Sequence, residues 1–234
     1  MATNNFFEQI CSGLENGDLI GGPTELAHIL CDSIQACGTF DKHDLTRRYL
    51  RWWKTDAFDT GPTFASVFTK IDKGIEPADA VKQTHKEFNN NTAGCGPAHR
   101  CAPLAGFMNI PNNQLISLAR TEAKITHYHE DAGNGSAVVV MLCRHLLEGY
   151  NLKQAEILIA KDPELSSTWE KIAQADLKPD GYIFNVLHAA LHFIRTNDPL
   201  EKVFKFAGIS NYCPVIVGSI RVCINMKKRV SIFL

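Results

Sequence analysis

Apolar residues recur at helical spacing along most of the chain, and alternating strand patterns are almost absent. Phe6, Phe7, Ile10, Cys11 and Leu14 form a stripe that ends at Gly17. Thr24 has the character of an N-cap for a second helix, with Leu26, Ile29, Leu30 and Ile34 on its inner face and Gly38 at its C-terminal cap. Asp41 can cap a third helix carrying Leu45, Tyr49, Trp52 and Trp53. Pro62 suits the first position of a fourth, which continues through Phe64, Val67, Phe68 and Ile71. Another helix is predicted over Glu76–Phe88. The run Asn89–Gly96 is polar and contains glycine, so it reads as a loop. Helices then resume over Ala98–Phe107, Asn112–Ile125, Ser136–Glu148, Leu152–Ala160, Pro163–Ala173, Gly181–Arg195, Pro199–Phe206 and Asn211–Ile220. One β-prone run remains, Val230–Leu234. The pattern predicts an all-α single domain.

Composition narrows the class. With 234 residues, 45% of them hydrophobic and 21% charged, the chain can bury one sizeable core and reads as ordinary globular protein. Lys plus Arg number 24 against 25 Asp plus Glu, a formal net charge of -1. That balance offers no broad electrostatic footprint for nucleic acid or an anionic membrane, and neither is expected as a partner. No apolar stretch is long enough to span a bilayer, and no basic start precedes an apolar run. The 8 cysteines contain no CxxC and read as reduced thiols, several of them buried, with the cytoplasm as the expected location.

Candidate chemistry gathers where glycine and polar residues interrupt the helices. The segments are Gly17–Glu25, Phe58–Thr63, Thr92–Ala105 and Thr126–Ala132. Loops at helix N-termini present free amides and a positive dipole end, which suit phosphate, and carboxylates there can share a hard divalent ion. The glycines of Thr92–Gly96 permit close backbone approach to a pyrophosphate. Each segment also has a plain structural reading. Asp18 can cap a turn, Asp59 can bond the backbone of its own Asp-Thr-Gly turn, and Arg100 can make a buried structural hydrogen bond. His127, His129, Glu130 and Asp131 lack zinc spacing, as do Cys95, His99 and Cys101, and structural roles are expected for them. Tyr49, Trp52 and Trp53 are expected in the core.

In this order and spacing the segments resemble the ADP-ribosylglycohydrolase family. Gly17, Asp18 and Gly21 look like its Gly-Asp-x-x-Gly start, and Asp59-Thr60-Gly61-Pro62-Thr63 is similar to its Asp-x-Gly-x-Thr turn. Gly96–Leu104 resembles its glycine loop and the following helix, and Thr126-His127 its Thr-His. Gly-Gly-Pro-Thr at 21–24 and Asn-Tyr-Cys-Pro at 211–214 point to a subgroup. The resemblance implies a compact orthogonal multi-helix domain over residues 1–220, followed by an atypical tail over 221–234 read as an aberrant end. It implies catalytic carboxylates at Asp59 and Asp18, and ADP-ribose contacts at Gly94, Gly96, Arg100 and His127. It also implies a magnesium site. The family's paired metal aspartates, however, fall on Gly22 and Pro23, and the late pair falls near Ile209 and Asn211, with its threonine on Tyr212. Thr24, Glu25 and Asn211 are left as oxygen ligands, an incomplete set for Mg²⁺. Three readings follow: a hydrolase acting on a glycosidic bond of ADP-ribose or a related ribosyl group, a module that binds ADP-ribose or a nucleotide without turnover, and a crystallin-like structural protein; the expected partner is ADP-ribose or an ADP-ribosylated protein or small molecule.

Overall fold

A computed structural model describes residues 5–208 and 212–230, with side chains placed through residue 226. The described residues form thirteen α-helices and one 3₁₀ segment, and no strand. The helices are α1 (Phe6–Asn16), α2 (Gly22–Cys37), α3 (Lys42–Thr55), α4 (Pro62–Asp72), α5 (Pro77–Glu87), α6 (Gly96–Arg100), α7 (Asn112–Ala123), α8 (Glu130–Leu147), α9 (Leu152–Lys161), α10 (Ser166–Ala173), α11 (Ile183–Arg195), α12 (Leu200–Ala207) and α13 (Cys213–Val230). The 3₁₀ segment, Ala102–Gly106, follows α6. The all-α expectation holds.

Helix α8 is the hub. Its residues from Ala137 to Cys143 are all buried, as suits a helix packed against α7, α9, α11, α13 and the 3₁₀ segment. At the other side of the core α1 crosses α13 at glycine contacts. A Cβ on Gly218 would lie 2.0 Å from the Gly13 carbonyl oxygen, and one on Gly17 would lie 2.0 Å from that of Pro214. Backbones this close leave no room for a methyl group. Arg144 closes the turn after the 3₁₀ segment by donating to the carbonyls of Ala105, Phe107 and Ile110. These three acceptors would otherwise be left inside without a donor.

Element boundaries differ from expectation where local chemistry overrides periodicity. Helix α2 begins at Gly22, so Thr24 lies inside its first turn and Asp18 does the capping instead. The stretch Ala98–Phe107 breaks at Cys101 into α6 and the 3₁₀ segment, each with a proline in its first two positions. Helix α8 starts at Glu130, earlier than predicted, because His129 Nδ1 accepts from the Asp131 amide and caps it. Helix α13 runs past Ile220 to Val230, with Cys223 and Met226 buried and Arg221 donating to the Phe193 carbonyl. Most of the β-prone run lies outside the described residues. Among those residues no helix is long and apolar enough to cross a membrane.

The α1–α13 crossing gives a direct test. Gly218→Ala forces the two backbones apart, and we expect a loss of about 1–3 kcal/mol in urea unfolding, the usual scale for overpacking. An alanine variant as stable as the parent would show that the helices can separate freely.

Candidate functional site

A cavity of about 210 Å³ opens between the glycine loop, the turn before α4 and the N-terminal end of α2. Its walls include Pro23, Asp59–Phe64, Gly94–Gly96, His99, Arg100, His127, Gly181 and Tyr212. The loop is fixed from both sides. Cys95 N donates to the Gly181 carbonyl at 3.1 Å, and Ile183 N donates to that of Ala93 at 3.0 Å, a short antiparallel bridge. Thr92 Oγ1 accepts from the His129 amide and pairs with His85 Nδ1, anchoring the start of the loop.

Behind the loop lies a buried ion pair. Arg100, 1% exposed, donates through Nε to Glu122 Oε1 at 2.6 Å, and Glu122 is 0% exposed. Tyr49 OH donates to the same oxygen, and the guanidinium sits over the rings of Tyr49 and Phe64. Arg100 Nη2 donates to Thr126 Oγ1 at 2.8 Å, and that hydroxyl lies 2.8 Å from His127 Nδ1. The hydroxyl proton of this buried threonine needs an acceptor, and Nδ1 is the one in place. Hydrogen-bond bookkeeping therefore puts the ring proton of His127 on Nε2. A Cβ on Gly94 would lie 3.3 Å from that nitrogen, and one on Gly96 3.3 Å from the adjacent Cε1. The two glycines leave the donor edge of His127 uncovered toward the cavity.

Both cavity histidines are held neutral. Burial, then the charge of Arg100, pushes the pKa of His99 down to about 3. Burial, Arg100 and His99 together keep His127 well below its ordinary value. Burial pushes the Cys95 thiol up to about 12, so it is protonated at neutral pH and unsuited to act as a nucleophile with His127.

Asp59 stands opposite. It has a φ of 48°, in the left-handed region that Asp tolerates better than most residues, and Gly61 follows with a φ of 72°. Its carboxylate does not bond its own turn. Oδ1 accepts from Tyr212 OH at 2.5 Å, while Oδ2 is buried without a hydrogen-bond partner among the described residues. The first turn of α4 adds amides with no side-chain cap, so the positive end of its dipole faces the same space.

Asp59, Gly94, Gly96, Arg100 and His127 thus share one cavity, although Arg100 spends most of its donors on Glu122 and Thr126. Asp18 does not line it. Its carboxylate accepts from the Gly21 and Thr24 amides and from Thr24 Oγ1, at 2.7–2.9 Å, which is the structural reading of that residue. The same bond occupies Thr24. Glu25 is exposed on the outer face of α2, and Asn211 lies outside the described residues. Among the described residues no group of three or more His, Cys, Asp or Glu side chains could hold a metal ion.

The donor set does not suit magnesium. That ion wants several charged or carbonyl oxygens in octahedral geometry. Among the described residues that line the cavity the one carboxylate is that of Asp59, beside two neutral imidazoles, the Arg100 guanidinium and a helix N-terminus. A Cβ on Gly22 would come within 2.5 Å of the Asp59 carbonyl oxygen and 2.8 Å of its Cβ, so a metal-binding side chain at that position has no space. Tyr212 and Glu122 join the site without having been expected there. Tyr212 carried a signal, since it stands in the late subgroup motif, whereas Glu122 carried none.

The family model for ADP-ribosylglycohydrolase matches residues 12–211. The chain belongs to this family. An ADP-ribosyl-dinitrogen reductase glycohydrolase of Rhodospirillum rubrum is 27% identical over 130 residues, which make up 56% of this chain and 42% of that protein. The match thus spans less than half of the relative's length. A solved ADP-ribosylglycohydrolase-related protein complex superposes with a TM-score of 0.71 at 23% identity, covering 94% of this chain and 87% of that one. That likeness shows that the fold is shared. The family fold is therefore present.

Two predictions follow from the geometry. His99 titrates near 6.5 when unfolded and near 3 when folded, so between those values the unfolded chain takes up a proton that the native state refuses. Stability is therefore full above about pH 6.5 and falls on acidification, by about 1.4 kcal/mol per pH unit for this group. Thermal melts from pH 7.5 to 5 should show the fall, with a shallower slope in His99→Gln. Gly22→Ala should destabilise by about 1–3 kcal/mol, because the clash is with backbone rather than with a flexible side-chain end. Urea unfolding of that variant is the check.

Proposed function

We propose that this family member binds the ADP-ribosyl group in the cavity without magnesium, as free ADP-ribose or on an ADP-ribosylated protein or small molecule. The observation that carries the reading is that the cavity is lined both by donors, His127 and the first turn of α4, and by Asp59, whose Oδ2 has no hydrogen-bond partner among the described residues. Donors suit phosphate and ring oxygens, and a carboxylate suits the hydroxyls of a ribose. At about 210 Å³ the enclosed part takes the ribosyl-phosphate end, and the rest of the ligand extends outward.

Hydrolysis of an ADP-ribose glycosidic bond is the second reading, and Asp59 Oδ2 favours it. A carboxylate there would stabilise the positive charge developing on the sugar and take the proton of an attacking water. Asp59→Asn would then abolish turnover, while neutral His127 and the loop would still hold the ligand.

The test of binding is a thermal melt with ADP-ribose titrated in. A ligand that binds the native state alone raises the melting temperature by mass action. We expect a saturable rise that is the same in EDTA and in Mg²⁺. Gly96→Val places a side chain over the His127 donor edge and should weaken binding about tenfold or more. No rise in a folded sample would refute the proposal, and a rise that requires Mg²⁺ would refute its metal-free form.

A further inference from the structure

The Asp59 carboxylate is held in a way that a metal site would not need. Its backbone is pinned against Gly22, and its Oδ1 is taken by the Tyr212 phenol at 2.5 Å. This is the length of a charge-assisted O–H···O⁻ bond. The phenol is itself fixed, because the Tyr212 ring packs against His99 with centroids 5.2 Å apart and planes tilted by 33°. His99, only 4% exposed, carries an Nε2 that is buried and has no hydrogen-bond partner among the described residues. Asp59 Oδ2 is in the same condition. One buried acceptor oxygen and one buried imidazole nitrogen thus remain unmatched on residues that line the cavity, beside a phenol that already occupies the other carboxylate oxygen.

We infer that Tyr212 has taken the place of a cation at Asp59, fixing the carboxylate so that Oδ2 accepts a hydroxyl of the ligand's distal ribose. The inference rests on the reading of the cavity as an ADP-ribosyl site and assigns the division of labour within it. A cation would have to displace the phenol to reach both oxygens, and Oδ2 alone gives a divalent ion a single carboxylate ligand. A ribose hydroxyl meets no such obstacle. It donates to Oδ2, and its lone pairs or its neighbouring hydroxyl are free to meet His99 Nε2, in whichever tautomer that ring adopts. Tyr212 acts through Asp59 and is a positioning residue.

The experiment pairs two probes with three proteins. ADP-ribose and ADP differ by the distal ribose and its phosphate-side linkage, so the ratio of their affinities isolates that end of the site. Calorimetry in EDTA should show the parent chain binding ADP-ribose about 10- to 100-fold tighter than ADP, the worth of hydrogen bonds to a charged group. Asp59→Asn should collapse the ratio toward one. Tyr212→Phe keeps the ring on His99 but frees Oδ1, and should lower the ratio about 3- to 10-fold, with ADP affinity unmoved in both variants. A ratio unmoved in Tyr212→Phe, or an equal weakening of both nucleotides, would make Tyr212 a packing residue only and overturn the proposal. Independently, Mn²⁺ alone is titrated onto the parent chain and followed by electron paramagnetic resonance. No saturable site at millimolar concentration is expected, and a site that vanishes in Asp59→Asn would overturn the claim that the phenol replaces a cation. Failure of both nucleotides to bind would overturn the ribose assignment together with the reading it rests on, while the Mn²⁺ arm would still decide what holds Asp59.

Discussion

The Arg100–Glu122 ion pair is the constraint around which the site is arranged. It is fully enclosed, with one end supplied by the short helix after the glycine loop and the other by α7. Tyr49 of α3 and Phe64 of α4 cover the guanidinium, and Tyr49 OH shares Glu122 Oε1. Burying such a pair is worth little as net stability, since desolvation offsets much of the attraction, but losing one partner costs about 3–5 kcal/mol. Its value here is positional. Four helices meet at a charge that has few ways to be satisfied, and the glycine loop is thereby placed beside the turn that carries Asp59.

The same charge sets the chemistry of the cavity. Arg100 fixes the Thr126 hydroxyl, which fixes the His127 tautomer, so a neutral donor faces the open space. Arg100 also helps to hold His99 and His127 uncharged. The cavity thus has a charge-paired guanidinium behind it and is lined by two neutral imidazoles and a helix N-terminus. The Asp59 backbone also closes the Gly22 position, where a Cβ would come within 2.5 Å of the Asp59 carbonyl oxygen, so no side chain fits beside Asp59 there.

Much of the fold was legible because apolar periodicity is a local property. Ile10, Cys11 and Leu14, or Phe64, Val67 and Phe68, announce buried helix faces without knowledge of what covers them, and all are buried. Helix ends were less legible where a side chain from outside the helix decides them, as Asp18 does for α2 and His129 for α8. The site was legible in part. The glycines at 94 and 96, Arg100 and His127 were flagged by their segments, and they do meet. Asp18 and Asp59 carried the same local signature, a carboxylate in a glycine-containing turn, yet one caps a helix and the other faces a cavity. What separates them is Tyr212, 153 residues from Asp59 along the chain, and no local pattern encodes that distance. Glu25 was misleading for a related reason, since spacing alone did not say that it projects from α2 into solvent.

The central claim is that this family member holds its ligand with hydrogen-bond donors and one phenol-bound carboxylate, with no metal between protein and ligand. The most direct measurement is a crystal structure of the chain grown with ADP-ribose and excess Mn²⁺, with data collected at a wavelength where manganese scatters anomalously. The expected result is the distal ribose against Asp59 Oδ2, the Tyr212 phenol still on Oδ1, and no anomalous peak in the cavity. An anomalous peak joining Asp59 to the ligand, with the Tyr212 side chain swung away, would contradict it.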